Sequence, residues 1–249
     1  MKNVNSDVAY AYIRKRILSG AYVPGQPLMT KDLSAEIGVS RTPVRDALRQ
    51  LEAAGLVIIR PRLGASVKKM DFKEYREICG LRLALEVYAA GLAAQQRTEQ
   101  ELMEIKRALD EMGGLTRRIV EDVPEDPGVL ELLRREDVRF HIGIIGAAKS
   151  DLLKKEVLRL HIVSRVVSGP SPDRDGAVNI AARRAHRIDV QKMHEDIYRA
   201  IERQDGSAAK AAMELHIQDI IDTQIRSLAR LEKTAVAQEL SEEELSYTA

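Results

Sequence analysis

The chain has 249 residues, with 39 Lys+Arg against 38 Asp+Glu, 45% hydrophobic residues, one Cys and no Trp, enough apolar material for one large domain or two modest ones and too much for intrinsic disorder. The single Cys79 excludes an intramolecular disulfide and a thiolate zinc site, which suits a reducing cytoplasm and leaves His and carboxylate as the ligands for any metal. The opening MKNVNSDVAY lacks the apolar core of a signal peptide and no apolar run approaches the ~20 residues that cross a bilayer, so a soluble protein is expected, with no membrane partner.

The near-zero net charge hides a split. Residues 1–70 hold 12 Lys+Arg and 5 Asp+Glu, net +7, and the remaining 179 residues are net −6. Phosphate attraction is local, so a basic head on an acidic body fits a nucleic-acid-binding module carried by something else. The composition changes at the same place, predicting a domain over 1–70, an all-α domain over 71–232 and an acidic, weakly patterned tail over 233–249. The chain has no fixed-period repeat and no low-complexity tract.

In the head, Ala9, Tyr12, Ile13 and Ile17 share one face of a first helix that stops at Ser19-Gly20, and Gly25 marks a turn. Lys31–Ile37 reads as a second short helix, with Leu33 and Ile37 inward and Gly38 as its C-terminal cap. Ser40 is placed to cap a third helix, in which Pro43 is harmless because the first turn needs no N–H there. Val44, Ala47, Leu48 and Leu51 form its inward stripe, Arg41, Arg45 and Arg49 project outward every four residues, and Gly55 closes it. LVIIRPRLGASV follows as two β-prone runs around Pro61–Gly64, a hairpin or wing with Gly64 at the tip. Three arginines on one face are often only a solvated surface. Here they cluster at the start of the second helix of a helix-turn-helix, the end that reaches base edges, and only Asp46 lies among them to neutralise them.

The body carries long Ala/Leu/Ile/Glu/Arg-rich stretches with apolar residues every three or four positions, predicting about six helices broken at Met112–Gly114, Val123–Gly128, Ser168–Gly176 and Gln204–Gly206. Asp137 and His141 are four apart and share a helix face. His194 lies near the stripe of Val190, Met193, Ile197 and Ile201, and His216 near Ala212, Met213 and Ile220. Any one of these is readily a core histidine bonded to a neighbour. Three on inward faces, with a carboxylate one turn from the first, point to a shared divalent ion such as Zn²⁺ or Ni²⁺.

The segment from Ile13 to Val67, with SRTPVRDAL followed by L-x-x-x-G-L, resembles the DNA-binding domain of the GntR family of bacterial transcription regulators. That resemblance implies that Arg41, Thr42 and Arg45 approach operator DNA, with Lys31 and Ser40 on or near phosphates and Gly64 of the wing at the minor groove. Residues 73–230 look like the FCD effector domain of the FadR subfamily, an antiparallel bundle of six or seven helices. Its metal-binding pattern stands here as Asp137-x-x-x-His141, His194-x-x-Ile197-x-x-Ala200-Ile201 and Met213-x-x-His216, whereas His161 and His186 match no part of it and are expected to be surface or structural. Arg82, with Glu86 one turn later, matches the family's R-x-x-x-E and is implied to bind a small carboxylate effector beside the metal. An i,i+4 pair on an exposed face accounts for the two residues equally well. Lys149-Ser150-Asp151 departs from the family, whose members often have a small residue followed by Asn at that place.

A mainly α fold is therefore expected: a winged helix-turn-helix followed by an all-α bundle. Its expected function is that of a homodimeric, effector-controlled regulator, a repressor on palindromic operator DNA. A metal-responsive regulator and a purely structural metal stay open beside it. A metal-dependent hydrolase is the alternative of another class, but no general-base carboxylate, nucleophile constellation or Gly-rich phosphate loop accompanies the histidines.

Overall fold

The computed structural model describes residues 4–69, 71–121, 126–167 and 180–230. Its architecture is mainly α, with a small sheet in the head and helices thereafter. Two compact units emerge, one built on the first 75 residues together with the end of the seventh helix, the other on the remaining helical region.

In the first unit, α1 (Val4–Leu18) buries Ala9, Ile13, Ile17 and Leu18, and α2 (Thr30–Ile37) buries Leu33. Gly38 caps α2 in the left-handed region, its N–H bonding Ser34 O at 3.1 Å. The third helix, α3 (Arg41–Ala53), buries Pro43, Val44, Ala47, Leu48 and Leu51. Ser40 takes the extended backbone of an N-cap, but its hydroxyl makes no capping bond, contrary to the expectation from sequence. Strands β2 (Val57–Arg60) and β3 (Gly64–Val67) form the wing. A short strand that the sequence did not announce, β1 (Pro27–Leu28), pairs antiparallel with β3, giving the order β1-β3-β2. Its Pro27 stands at a sheet edge, where a missing N–H costs no ladder bond. The wing tip is Arg62-Leu63 rather than Gly64, which opens β3 opposite Arg60 with φ +91.

The second region holds six helices among the described residues: α4 (Phe72–Gln96), α5 (Glu99–Glu121), α6 (Pro127–Ala147), α7 (Asp151–Val167), α8 (Ile180–Glu202) and α9 (Gly206–Arg230). Links of two or three residues join α4 to α5, α6 to α7 and α8 to α9, which makes each pair antiparallel. The main core gathers Ala90 and Ala93 of α4, Ile105 and Met112 of α5, Phe140 and Ile144 of α6, Ile197 and Ile201 of α8, and Met213 and Ile217 of α9.

The expected break at Met112–Gly114 does not occur, because α5 runs straight through it. Each helical glycine costs ~1 kcal/mol against alanine, whereas each large apolar side chain buried contributes ~1.5–3 kcal/mol. The stripe of Leu102, Ile105, Leu109, Met112, Leu115 and Ile119 outweighs two glycines on those magnitudes. Gly113 also faces Gln191 of α8, whose Nε2 stands 3.3 Å from where a Cβ would be. The chain breaks instead at Arg97-Thr98, where Thr98 and Glu101 form a reciprocal capping box: Thr98 N–H donates to Glu101 Oε2 at 2.9 Å and Glu101 N–H to Thr98 Oγ1 at 3.2 Å. A further link lies at Ala148–Ser150, where Lys149 holds φ 54 and its ammonium pairs with Glu101. The Gln204–Gly206 break is present, and α6 starts at Pro127 with Asp126 accepting from Gly128 N at 2.8 Å. The Ser168–Gly176 connection and the tail over 233–249 lie outside the described residues.

Candidate nucleic-acid interface and metal centre

Arg41, Thr42, Arg45 and Arg49 are exposed on α3, on the face opposite its buried stripe, and Ser40 and Lys31 are exposed at the starts of α3 and α2. Arg49 reaches Asp46 at 4.0 Å, a loose contact between exposed side chains, and among the described residues Arg41 and Arg45 have no ion partner. The α3 face thus presents positive charge to solvent. Arg60 and the wing tip Arg62-Leu63 are exposed as well, with Leu63 at 77%, an additional basic and apolar point not singled out from sequence.

A polar cluster ties α2, the first helix of the reading motif, to α1. Tyr12 Oη donates to Glu36 Oε1 at 2.6 Å, Tyr22 Oη to Oε2 at 2.8 Å, and Arg16 stands 3.1 Å from the same carboxylate and over both phenol rings. The two phenol bonds hold the Glu36 carboxyl below its ordinary range, with the Arg16 charge adding to them against a small opposing effect of burial. Burial first, then the bond to Glu36, pushes Tyr22 up to about 12.

In the body, His141 of α6, His194 of α8 and His216 of α9 come together in the interior at 4%, 1% and 0% exposure. One nitrogen from each lies within 4.8 Å of the others, and His141 Nε2 and His216 Nε2 are 3.1 Å apart. Two neutral imidazoles at that separation share one proton; around a tetrahedral zinc, adjacent nitrogens would be about 3.3 Å apart. His141 and His216 are stacked with centroids 5.1 Å apart, and the edge of Phe140 backs His141 and His194 at 5.7 and 5.0 Å. His216 Nδ1, His141 Nδ1 and both nitrogens of His194 are buried without a well-formed hydrogen bond. Each such atom costs ~1–3 kcal/mol, and three buried imidazoles with one nitrogen apiece close to the others form a donor set that fits a divalent ion.

Asp137 stands at the side of this group, its Oδ1 3.3 Å from His194 Nε2 and its side chain 36% exposed. It is not among the donors that face one another. Crowding by protein atoms opposes its ionisation, yet the close approach of His194 and the other imidazoles nearby hold the carboxyl well below the usual range. Burial, followed by the charges of His194 and His141, drives His216 well below its ordinary value. Burial likewise lowers His194, with Asp137 opposing it. In His141, burial is outweighed by Glu86 and Asp137, so its value is raised. The pocket therefore favours imidazoles with open lone pairs at two of its three positions.

Arg82 and Glu86 do pair at i,i+4, but inside the bundle rather than on an exposed face: Arg82 Nε donates to Glu86 Oε1 at 2.8 Å, and the two residues are 8% and 1% exposed. Glu86 also places Oε2 3.5 Å from His141 Nδ1, a relation that the sequence reading missed. Its trace in the sequence is that Glu86 is the only charged residue in the twelve from Leu83 to Ala94, an acid without a local reason to be there. Outside the cluster, His186 is 40% exposed and 3.5 Å from Asp219, and His161 is half-buried on α7.

The profile described as bacterial regulatory proteins, gntR family, matches residues 5–67, and that of the FCD domain matches residues 77–219. Similar proteins include the HTH-type transcriptional regulator LutR of Bacillus subtilis, 29% identical over 83% of this chain and 94% of LutR. The HTH-type transcriptional repressor RspR of Escherichia coli is 29% identical over 88% of each chain. Among solved structures, E. coli McbR/YncC is similar in fold, with a TM-score of 0.65 at 21% identity over 91% of this chain and 99% of that one.

Proposed function

From a chain that belongs to the GntR family of bacterial regulatory proteins, with an FCD domain as its body, and that is a DNA-binding transcription regulator rather than an enzyme, we propose a repressor whose operator affinity is set by a small organic acid held beside a divalent metal. The observation that carries this reading is the convergence of His141, His194 and His216, from three helices, on one buried point beside Asp137. The three histidines would hold the ion, with Asp137 at their side as the fourth ligand, Zn²⁺ by ligand chemistry with Ni²⁺ as the nearest competitor. When bound, the metal supplies positive charge and an open coordination position for a carboxylate. Arg82, buried beside this cluster, is the residue we assign to a charged bond with the same acid.

Arg41, Thr42, Arg45 and Arg49 read the major groove, Lys31 and Ser40 take phosphates, and Gly64 brings the wing backbone to the minor groove. A guanidinium bonding guanine O6 and N7 is worth ~1–3 kcal/mol of discrimination. One head reads a half-site weakly, so the protein acts as a two-fold homodimer on a palindromic operator. Repression is supported by two relatives, RspR and a probable D-xylose utilization operon repressor of Paenarthrobacter nicotinovorans, both named as repressors. The acid alters DNA affinity only to the extent that it binds one conformational state better than the other.

Titration of a fluorescent operator with the metal-loaded protein, against a panel of small carboxylates, tests the reading: one acid should change affinity at least fivefold. A second reading has a specific observation behind it, since Arg82 Nε is already committed to Glu86. In that reading the metal itself is the signal, and affinity follows free metal concentration while no acid has any effect.

A further inference from the structure

Glu86 stands outside the set of residues assigned to DNA, metal or effector. It projects from α4 with 1% exposure, one oxygen held by Arg82 at 2.8 Å and the other 3.5 Å from His141 Nδ1. A buried carboxylate is costly unless its oxygens are bonded, and Arg82 holds Oε1. The second oxygen faces the ring nitrogen of His141 that points away from His216, since the 3.1 Å approach to His216 is made through Nε2. A His ligand has one nitrogen for the ion and one N–H for a partner, and the partner fixes which is which.

We propose that Glu86 is the positioning residue of the metal centre. It accepts the Nδ1–H of His141, holds that ring in the tautomer with its Nε2 lone pair turned to the ion, and is itself held by Arg82. The inference rests on the reading of the histidine cluster as a metal site and deepens it. With an ion held at Nε2, the Nδ1–H of His141 would be a stronger donor, and Glu86 Oε2, 3.5 Å away, is placed to accept it. Arg82 then acts one step further out, fixing the rotamer of the carboxylate on the neighbouring turn of α4.

The test uses the full-length protein and Co²⁺ alone, read by its visible absorption in competition with a chelator. Glu86→Gln keeps the shape but removes the charge, and its amide can donate where an acceptor is needed. Its Co²⁺ affinity should fall ten- to a hundredfold, with an altered spectrum. In protein labelled with ¹⁵N-histidine, metal-loaded wild type should show His141 protonated at Nδ1 and ligated through Nε2, a measurement that needs no variant to fold. A merely structural role would lower the melting temperature of metal-free Glu86→Gln while leaving affinity and tautomer unchanged, and that result overturns the inference. So does wild-type His141 ligated through Nδ1. A wild-type chain that takes up no Co²⁺ ends the metal reading itself and the inference with it, whereas tight wild-type binding with equal binding by Glu86→Gln ends the inference alone.

Discussion

The two halves of this protein use arginine in opposite ways. On α3, Arg41, Arg45 and Arg49 stand in water above a small buried stripe, and the one pair among them, Arg49 with Asp46, is open at 4.0 Å. In the bundle, Arg82 and Glu86 form a tight pair withdrawn from solvent and backed by a histidine. An exposed pair contributes ~0–1 kcal/mol, while breaking a buried one costs ~3–5 kcal/mol because the charge left behind stays dry. The outward arginines are thus available to a partner at almost no cost to the fold, and the inward one is bound up with it.

The sharpest way to break this contrast is to remove an arginine from each side. Arg82→Ala should destabilise the protein by about 3–5 kcal/mol in chemical denaturation, because it takes a buried charged partner away from Glu86, whereas Arg49→Ala should change stability by less than about 0.5 kcal/mol. Equal costs would erase the distinction. On binding, Arg45→Ala should weaken a specific operator by about 1–3 kcal/mol and relax sequence choice, with metal content by mass spectrometry unchanged. His141→Ala should do the reverse, losing the metal and sparing basal DNA affinity.

Acid provides a smaller probe of the head. Glu36 has its folded value depressed, so its contribution is present above the unfolded value of about 4.5 and is lost as the pH falls through and below it. Tyr22 is raised to about 12, so its contribution holds below about 10 and is lost as the pH rises through 12. Protection of the α1 and α2 amides, taken relative to the exchange of the unfolded chain at each pH, should therefore fall at both extremes, and Glu36→Gln should flatten the acid side. Smallest of all is Ser40→Ala. A working N-cap is worth ~1 kcal/mol, but the Ser40 hydroxyl makes no capping bond, so the melting temperature should hardly move, while operator affinity should fall if Ser40 takes a phosphate as proposed.

Legibility differed between the halves for the same reason. The head is built from contacts close in sequence, so the period of Val44, Ala47, Leu48 and Leu51 fixed both its inner face and, by subtraction, its outer one. The three body histidines were legible as inward positions, but their meeting depends on helices far apart in the chain. The break misplaced at Met112–Gly114 came from reading glycine as punctuation where it serves the approach of Gln191. The true break carried its own signal in Thr98-x-x-Glu101, a local motif obscured by the apolar periodicity on either side. Glu86 was visible as half of a spacing motif and as the lone charge between Leu83 and Ala94, yet neither signal names His141 of α6 as its second contact.

Arg62, at the tip of the wing, holds φ 66. A side chain larger than glycine or asparagine occupies that left-handed basin at a cost of order 1 kcal/mol. Glycine would relax the hairpin, but it would also remove the charge from the exposed tip of the wing. Backbone ease and surface charge are thus set against each other at a single torsion, and selecting variants for heat resistance alone would be expected to erode the wing here first.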